Sequence, residues 1–117
     1  MRKIGLLLIL ALLVLPAACT LPDLTLVGWG NINADTTIRG SSENFTINHP
    51  AAGDYRIVWT DDTEVTSANS IVDVTPIGTA AVTAVWTSAV DGVLVIRLYN
   101  STPAAVDAAF SFAVYQW

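Results

Sequence analysis

The sequence predicts an all-β protein: a single antiparallel β-sandwich or jelly-roll-like domain of about seven strands, preceded by a cleaved signal peptide. Three observations predict it. From Leu24 onward apolar side chains recur at every second position, the period of a strand with one buried face. Clusters of Gly, Pro, Asn, Asp and Ser interrupt that alternation at intervals of about eight to fifteen residues. Beyond the leader no segment sustains a helical period over about ten residues, so essentially no helix is expected in the domain.

Residues 1–18 have the order of a secretory signal peptide: the basic pair Arg2 and Lys3, an apolar run over 4–15, and the small-residue exit Pro16-Ala17-Ala18. That run is short of the roughly 20 apolar residues that cross a bilayer. Residues 19–23 read as a tether, in which Pro22 discourages helix, and 24–117 as the folded domain. A body of that size is one domain and buries roughly two-thirds of its unfolded surface, enough for a core without staples.

In the domain, 24–29 is the first strand, with Val27 and Trp29 two apart; Gly28 and Gly30 mark a bend or the close approach of another backbone. Residues 31–42, rich in Asn, Asp, Thr, Gly and Ser, read as a loop with at most a short edge strand around Thr36 to Ile38. Phe45 and Ile47 then share a face, His49-Pro50-Ala51-Ala52-Gly53-Asp54 turns the chain, and Tyr55, Ile57 and Trp59 resume the apolar face, a hairpin pattern. Residues 61–69 form a polar connection. β-Branched residues dominate 70–75, where Val72 and Val74 point inward. Val82, Ala84 and Trp86 share one parity of 80–88, and the Val and Thr content there favours strand over the helix that alanine alone would suggest. The last two segments alternate most cleanly. Leu94, Ile96 and Leu98 on one, and Phe110, Phe112 and Val114 on the other, are the expected centre of the core, closed by the turn formers Asp91-Gly92 and Asn100-Ser101-Thr102-Pro103 into a hairpin or a short arch.

Cys19 is the only cysteine, which leaves no partner for an intramolecular disulfide. With the residues before it, Leu15-Pro16-Ala17-Ala18-Cys19, it resembles the lipobox of bacterial lipoproteins. The resemblance implies that the Cys19 thiol takes a diacylglycerol and that its amino group becomes the new terminus, anchoring the domain in an envelope membrane. The pattern favours an aliphatic residue three before the cysteine, where this chain has Pro16. A cut after Cys19 or Thr20 would instead release a soluble periplasmic or secreted domain. A second resemblance runs through Gly28-Trp29-Gly30-Asn31-Ile32, residues 53–59, 71–76 and 93–100, and the closing Val106-Asp107-Ala108-Ala109-Phe110-Ser111-Phe112-Ala113-Val114-Tyr115. These segments look like the small β-sandwich modules of phage tail-fibre tips and bacterial surface proteins, which implies attachment or oligomer formation rather than catalysis.

Charge narrows the partners. Without Arg2 and Lys3, three arginines face ten acidic residues, a formal charge of −7. Such a domain repels phosphate backbones and anionic lipid, so no nucleic-acid partner is expected and membrane contact is assigned to Cys19. Asp61-Asp62-Thr63-Glu64 reads as a solvated acidic loop, too poor in oxygen ligands for calcium. No catalytic residue is assigned: the single histidine, His49, sits in a predicted turn as a solvated imidazole, and no metal or cofactor site is expected from one His and one Cys. Paired carboxylates for glycan hydrolysis would require acids to converge in a cleft.

Aromatic residues carry the binding expectation. Trp59 and Trp86 share parity with their strands' apolar faces and are assigned to the core, whereas Tyr99, Tyr115 and Trp117, with Arg97, fall on the second face of the terminal strands as the candidate ligand or partner surface. The function expected is a lipid-anchored, non-enzymatic binding or interaction module of the bacterial or prophage cell envelope, with an unknown protein or glycan partner. The alternative is an oligomeric structural β-sandwich subunit, tail-fibre-like or part of a surface assembly.

Overall fold

The computed structural model describes residues 23–117, so the leader, Cys19 and the tether up to residue 22 lie outside the described residues. Eight strands follow one another: β1 (Thr25–Ile32), β2 (Ile38–Ser41), β3 (Phe45–Ala51), β4 (Asp54–Trp59), β5 (Ser70–Ile77), β6 (Val82–Ser88), β7 (Leu94–Asn100) and β8 (Ala109–Gln116). They form two antiparallel four-stranded sheets, ordered β2-β1-β8-β5 and β3-β4-β7-β6, packed together around one core. The only helical turn among the described residues is the 3₁₀ segment Val90–Gly92.

The structure has eight strands where about seven were expected; the short edge strand allowed around Thr36 to Ile38 is β2, at Ile38–Ser41. The polar stretch before it is built as a turn. Asp35 accepts hydrogen bonds from the amide and hydroxyl of Thr37 at 3.0 and 2.6 Å, and Asn33 N donates to Thr37 O at 2.9 Å. The chain reverses onto β1 and adds an edge strand. Between β3 and β4 the reversal is also tighter than the sequence implied: β3 runs through His49 and Pro50 to Ala51, and Ala52-Gly53 alone make the turn.

Odd-numbered strands run away from the end at which the chain enters β1, and even-numbered strands return to it. The loops at 42–44, 60–69 and 89–93 therefore gather at the entry end, and those at 33–37, 52–53, 78–81 and 101–108 at the far end. The last two strands are central ones: β7 lies between β4 and β6, and β8 between β1 and β5. Because they belong to different sheets, their connection is an arch and not a hairpin.

Parity explains the core. Leu94, Ile96 and Leu98 of β7 face Phe110, Phe112 and Val114 of β8 across the sandwich, joined by Ile32, Tyr55 and Ile57. Val72, Val74, Val82, Ala84, Trp59 and Trp86 pack around them as partly buried neighbours. Val65 is a departure from the expected polar connection: it is fully buried, an apolar plug that pins the 60–69 loop into the core.

The aromatic residues of the core form a file along the length of the sandwich. Trp59 meets Phe45 edge-on at 5.9 Å, Phe45 meets Phe112 at 5.2 Å, Phe112 neighbours Phe110 at 6.5 Å, Phe110 meets Tyr55 at 5.0 Å, and Tyr55 stacks on His49 at 4.2 Å. The glycines of β1 make room for it. A methyl at Gly28 would stand 2.5 Å from Trp59, and one at Gly30 2.7 Å from Phe112. The close approach expected at these glycines is thus by rings of the core rather than by a neighbouring backbone, and a register shift between Leu26 and Gly28 supplies the bend.

Candidate functional site

Four regions carry chemistry, and the four residues predicted as a partner surface divide between two of them. On β7 the inward parity of Leu94, Ile96 and Leu98 leaves Arg97 and Tyr99 on the outer face of the β3-β4-β7-β6 sheet. On β8 the inward parity of Phe110, Phe112 and Val114 leaves Tyr115 and, beyond the strand, Trp117 on the outer face of the other sheet. Equal parity on the two strands thus means opposite sides of the sandwich, and the structure does not bring the four together.

Around Arg97 the register places Asp54 on one side and Val85 on the other. Asp54 gives its carboxylate to Arg56, at 3.1 Å, and among the described residues Arg97 has no ion-pair partner. Exposed Val85, Arg97 and half-buried Tyr99 make this a mixed surface with one uncommitted guanidinium.

Around Tyr115 the surface is apolar. Leu26 of β1 and Ile71 of β5 both pair with Tyr115, so the three side chains form one row across the sheet. Leu24 and Trp117 extend the row at the entry end, and all five are exposed.

The far end holds the single histidine, and here the expectation of a solvated turn imidazole is corrected. His49 stands on β3 with both ring nitrogens engaged: Nδ1 lies 2.8 Å from the Asp54 carbonyl oxygen and Nε2 3.1 Å from Asp107 Oδ1. A carbonyl accepts only, so Nδ1 carries hydrogen, and the carboxylate draws a second hydrogen to Nε2. The ring is therefore poised as an imidazolium. The hydrogen bond to Asp54 O, and then the Asp107 carboxylate, raise its pKa above the usual 6.5 against the opposing effect of burial. The Gly53 amide, donating to Asp107 at 2.8 Å, and then His49, hold Asp107 below the ordinary carboxylate range. Tyr55, under the imidazole, donates its hydroxyl to Ala34 O at 2.7 Å, and burial first, then the Asp107 charge, pushes it up to about 12. This cluster ties β3, the β3–β4 turn, the β1–β2 turn and the β7–β8 arch together. With neither ring nitrogen free to take a proton from a nucleophile, it acts as a clamp.

The clamp predicts a pH dependence with a definite sign. The raised His49 pKa contributes stability that is fully present below about 6.5 and is lost as pH rises through the folded value above it. The lowered Asp107 pKa contributes stability present above about 3.8 and lost as pH falls through the folded value below it. The melting temperature is expected to decline from pH 6 to pH 8, and His49→Gln to remove that decline. An unchanged slope in the variant would refute the clamp.

At the entry end a cleft of about 350 Å³ opens between Val58, Trp59 and Val93 on its floor and Asp61, Asp62, Glu64 and Asp91 on its rim. Asp61 is held below the usual range by the Asn44 amide, which donates to it at 2.9 Å, and by Thr63. The cleft repels anions, yet among the described residues no three His, Cys, Asp or Glu side chains converge as metal ligands. Its apolar floor could not be foreseen from the acidic run alone. No protein-family model, no curated protein and no solved structure matches this chain.

Proposed function

We propose that the domain is a binding module of a bacterial or prophage-borne cell envelope, exported and anchored through lipid on Cys19, with no catalytic role. The observation that carries this reading is the position of the only cysteine: it closes a signal-peptide pattern and stands five residues before Leu24, so the sandwich begins almost at the anchor. An anchor so placed holds the entry end of the sandwich close to the membrane. Arg97 and Tyr99, on the outer face of the β3-β4-β7-β6 sheet, are the surface proposed for a protein or glycan partner. An unpaired guanidinium beside an aromatic ring suits either one.

Intact mass and fractionation test the reading together. The mature protein is expected to begin at Cys19 with an acyl increment and to sediment with membranes, while Cys19→Ala moves it to the soluble fraction. A mature mass beginning at Thr20 or later without acyl chains refutes the anchor. The rival reading, a structural subunit that oligomerises, has the exposed row Leu26, Tyr115 and Ile71 in its favour. A stable trimer in light scattering would decide for it.

A further inference from the structure

The row Leu26–Tyr115–Ile71 with Leu24 and Trp117 is a continuous exposed apolar surface that the sandwich leaves unpartnered, and its place in the chain says what covers it. We infer that this corner of the β2-β1-β8-β5 sheet docks into the interfacial region of a zwitterionic bilayer, laying that sheet on the membrane and presenting the opposite sheet to partners. The inference rests on the lipid anchor proposed above and deepens it, since it assigns the membrane a second contact and fixes the domain's orientation.

Register and reach carry it. Leu26 and Ile71, at 48% and 49% exposure, flank Tyr115 in one cross-strand row, and Trp117, at 53%, projects past the end of β8 on the same side. Side chains opposite one another in adjacent strands lie about 5 Å apart, so the row is continuous rather than scattered. From Cys19 to Leu24 there are five residues, which span at most about 18 Å when fully extended. An acylated Cys19 therefore holds this corner within reach of the headgroups whatever the domain does, and no other part of the described surface is tied so closely.

The composition matches that destination. Trp and Tyr favour the headgroup level, where an apolar ring and a polar tip are both satisfied, and the aliphatic pair supplies area for the acyl boundary. None of the five carries charge; Asp23 stands beside Leu24, and Asp73, exposed on the same face through its pairing with Ala113, stands two positions beyond Ile71 and bounds the apolar row. The net charge of −7 restricts the partner to zwitterionic headgroups, because anionic lipid would repel the domain as a whole.

Tryptophan emission in vesicles of brominated phosphatidylcholine tests the inference, since the bromines quench only rings that enter the upper acyl region, roughly 5–10 Å deep for an interfacial contact. The acylated protein, reconstituted, is expected to be quenched, and Leu26→Ser combined with Ile71→Ser to abolish quenching while the protein stays on the vesicle and melts as before. Undiminished quenching in the double variant overturns the inference, as does its absence in the wild type. A concentration-dependent dimer, lost in the double variant and unquenched, would overturn it in favour of a second copy on the same face. The chain coupled to a maleimide lipid through the Cys19 thiol, its only cysteine, separates the two proposals. Quenching there, with no acyl increment in the natural product, refutes the anchor and keeps the face. An acyl increment without quenching refutes the face and keeps the anchor.

Discussion

Tyr55→Ala is expected to destabilise the domain by about 4 kcal/mol, enough to lower its melting temperature by roughly 15 °C or more. The ring is fully buried between His49, stacked at 4.2 Å, and Phe110, met edge-on at 5.0 Å. Truncation opens a cavity in the middle of the aromatic file and leaves Ala34 O without its donor. His49 loses the surface that keeps it flat between Asp54 and Asp107, so the clamp fails with the core. Tyr55→Phe keeps the ring and deletes only the hydrogen bond, which is expected to cost about 1 kcal/mol. Thermal melts of the two variants decide the matter. Equal losses would mean that the hydroxyl, and not the packed ring, holds the far end.

Gly92→Ala is the second large effect, at the opposite end, and is expected to cost about 4 kcal/mol. Gly92 has φ +71°, a left-handed conformation that an L residue adopts at a cost of about 1–2 kcal/mol. Space is the larger obstacle. The new methyl would stand 2.4 Å from Glu64 Cα and 2.9 Å from Val65 N, and backbone atoms cannot rotate aside as a side-chain tip can. The 60–69 loop must lift, taking Val65 out of the core and breaking the hydrogen bond that Gly92 O accepts from Val65 N at 3.1 Å. Burial of a valine is worth about 1.5–3 kcal/mol, which brings the sum to the stated size. A double-mutant cycle with Val65→Ala tests the route. Both changes eject the same side chain, so their combined loss should fall well short of the sum. Additive losses would show that Gly92 acts without the loop.

The sequence-based reading reached the strands and their inward faces because side-chain alternation is a local property. Leu94, Ile96, Leu98, Phe110, Phe112 and Val114 lie inside as their parity required. Parity does not say to which sheet a strand belongs, and that is why Tyr99 and Tyr115, equivalent in pattern, face opposite ways. The clamp was illegible for a related reason. His49 and Asp107 are far apart in the chain, and only the arch from β7 to β8 brings the carboxylate back over β3. Val65 was hidden by its neighbours, a lone apolar residue in a polar run whose burial depends on Gly92 reaching it from another loop. The apolar row was half visible: Tyr115 and Trp117 could be flagged, but Leu26 and Ile71 join them only through the pairing of β8 with both β1 and β5.

That pairing also sets the order in which the body can assemble. Until β8 is made, β5 has no neighbour in its sheet and β1 has only the four-residue β2. Half of the sandwich therefore stays open while the first seven strands emerge, and contacts between distant parts of a chain close slowly. A thread whose β2-β1-β8-β5 sheet cannot close until the eighth strand appears keeps that half extended for longer, which is a condition that eases the passage of a polypeptide through a narrow pore ahead of its full compaction.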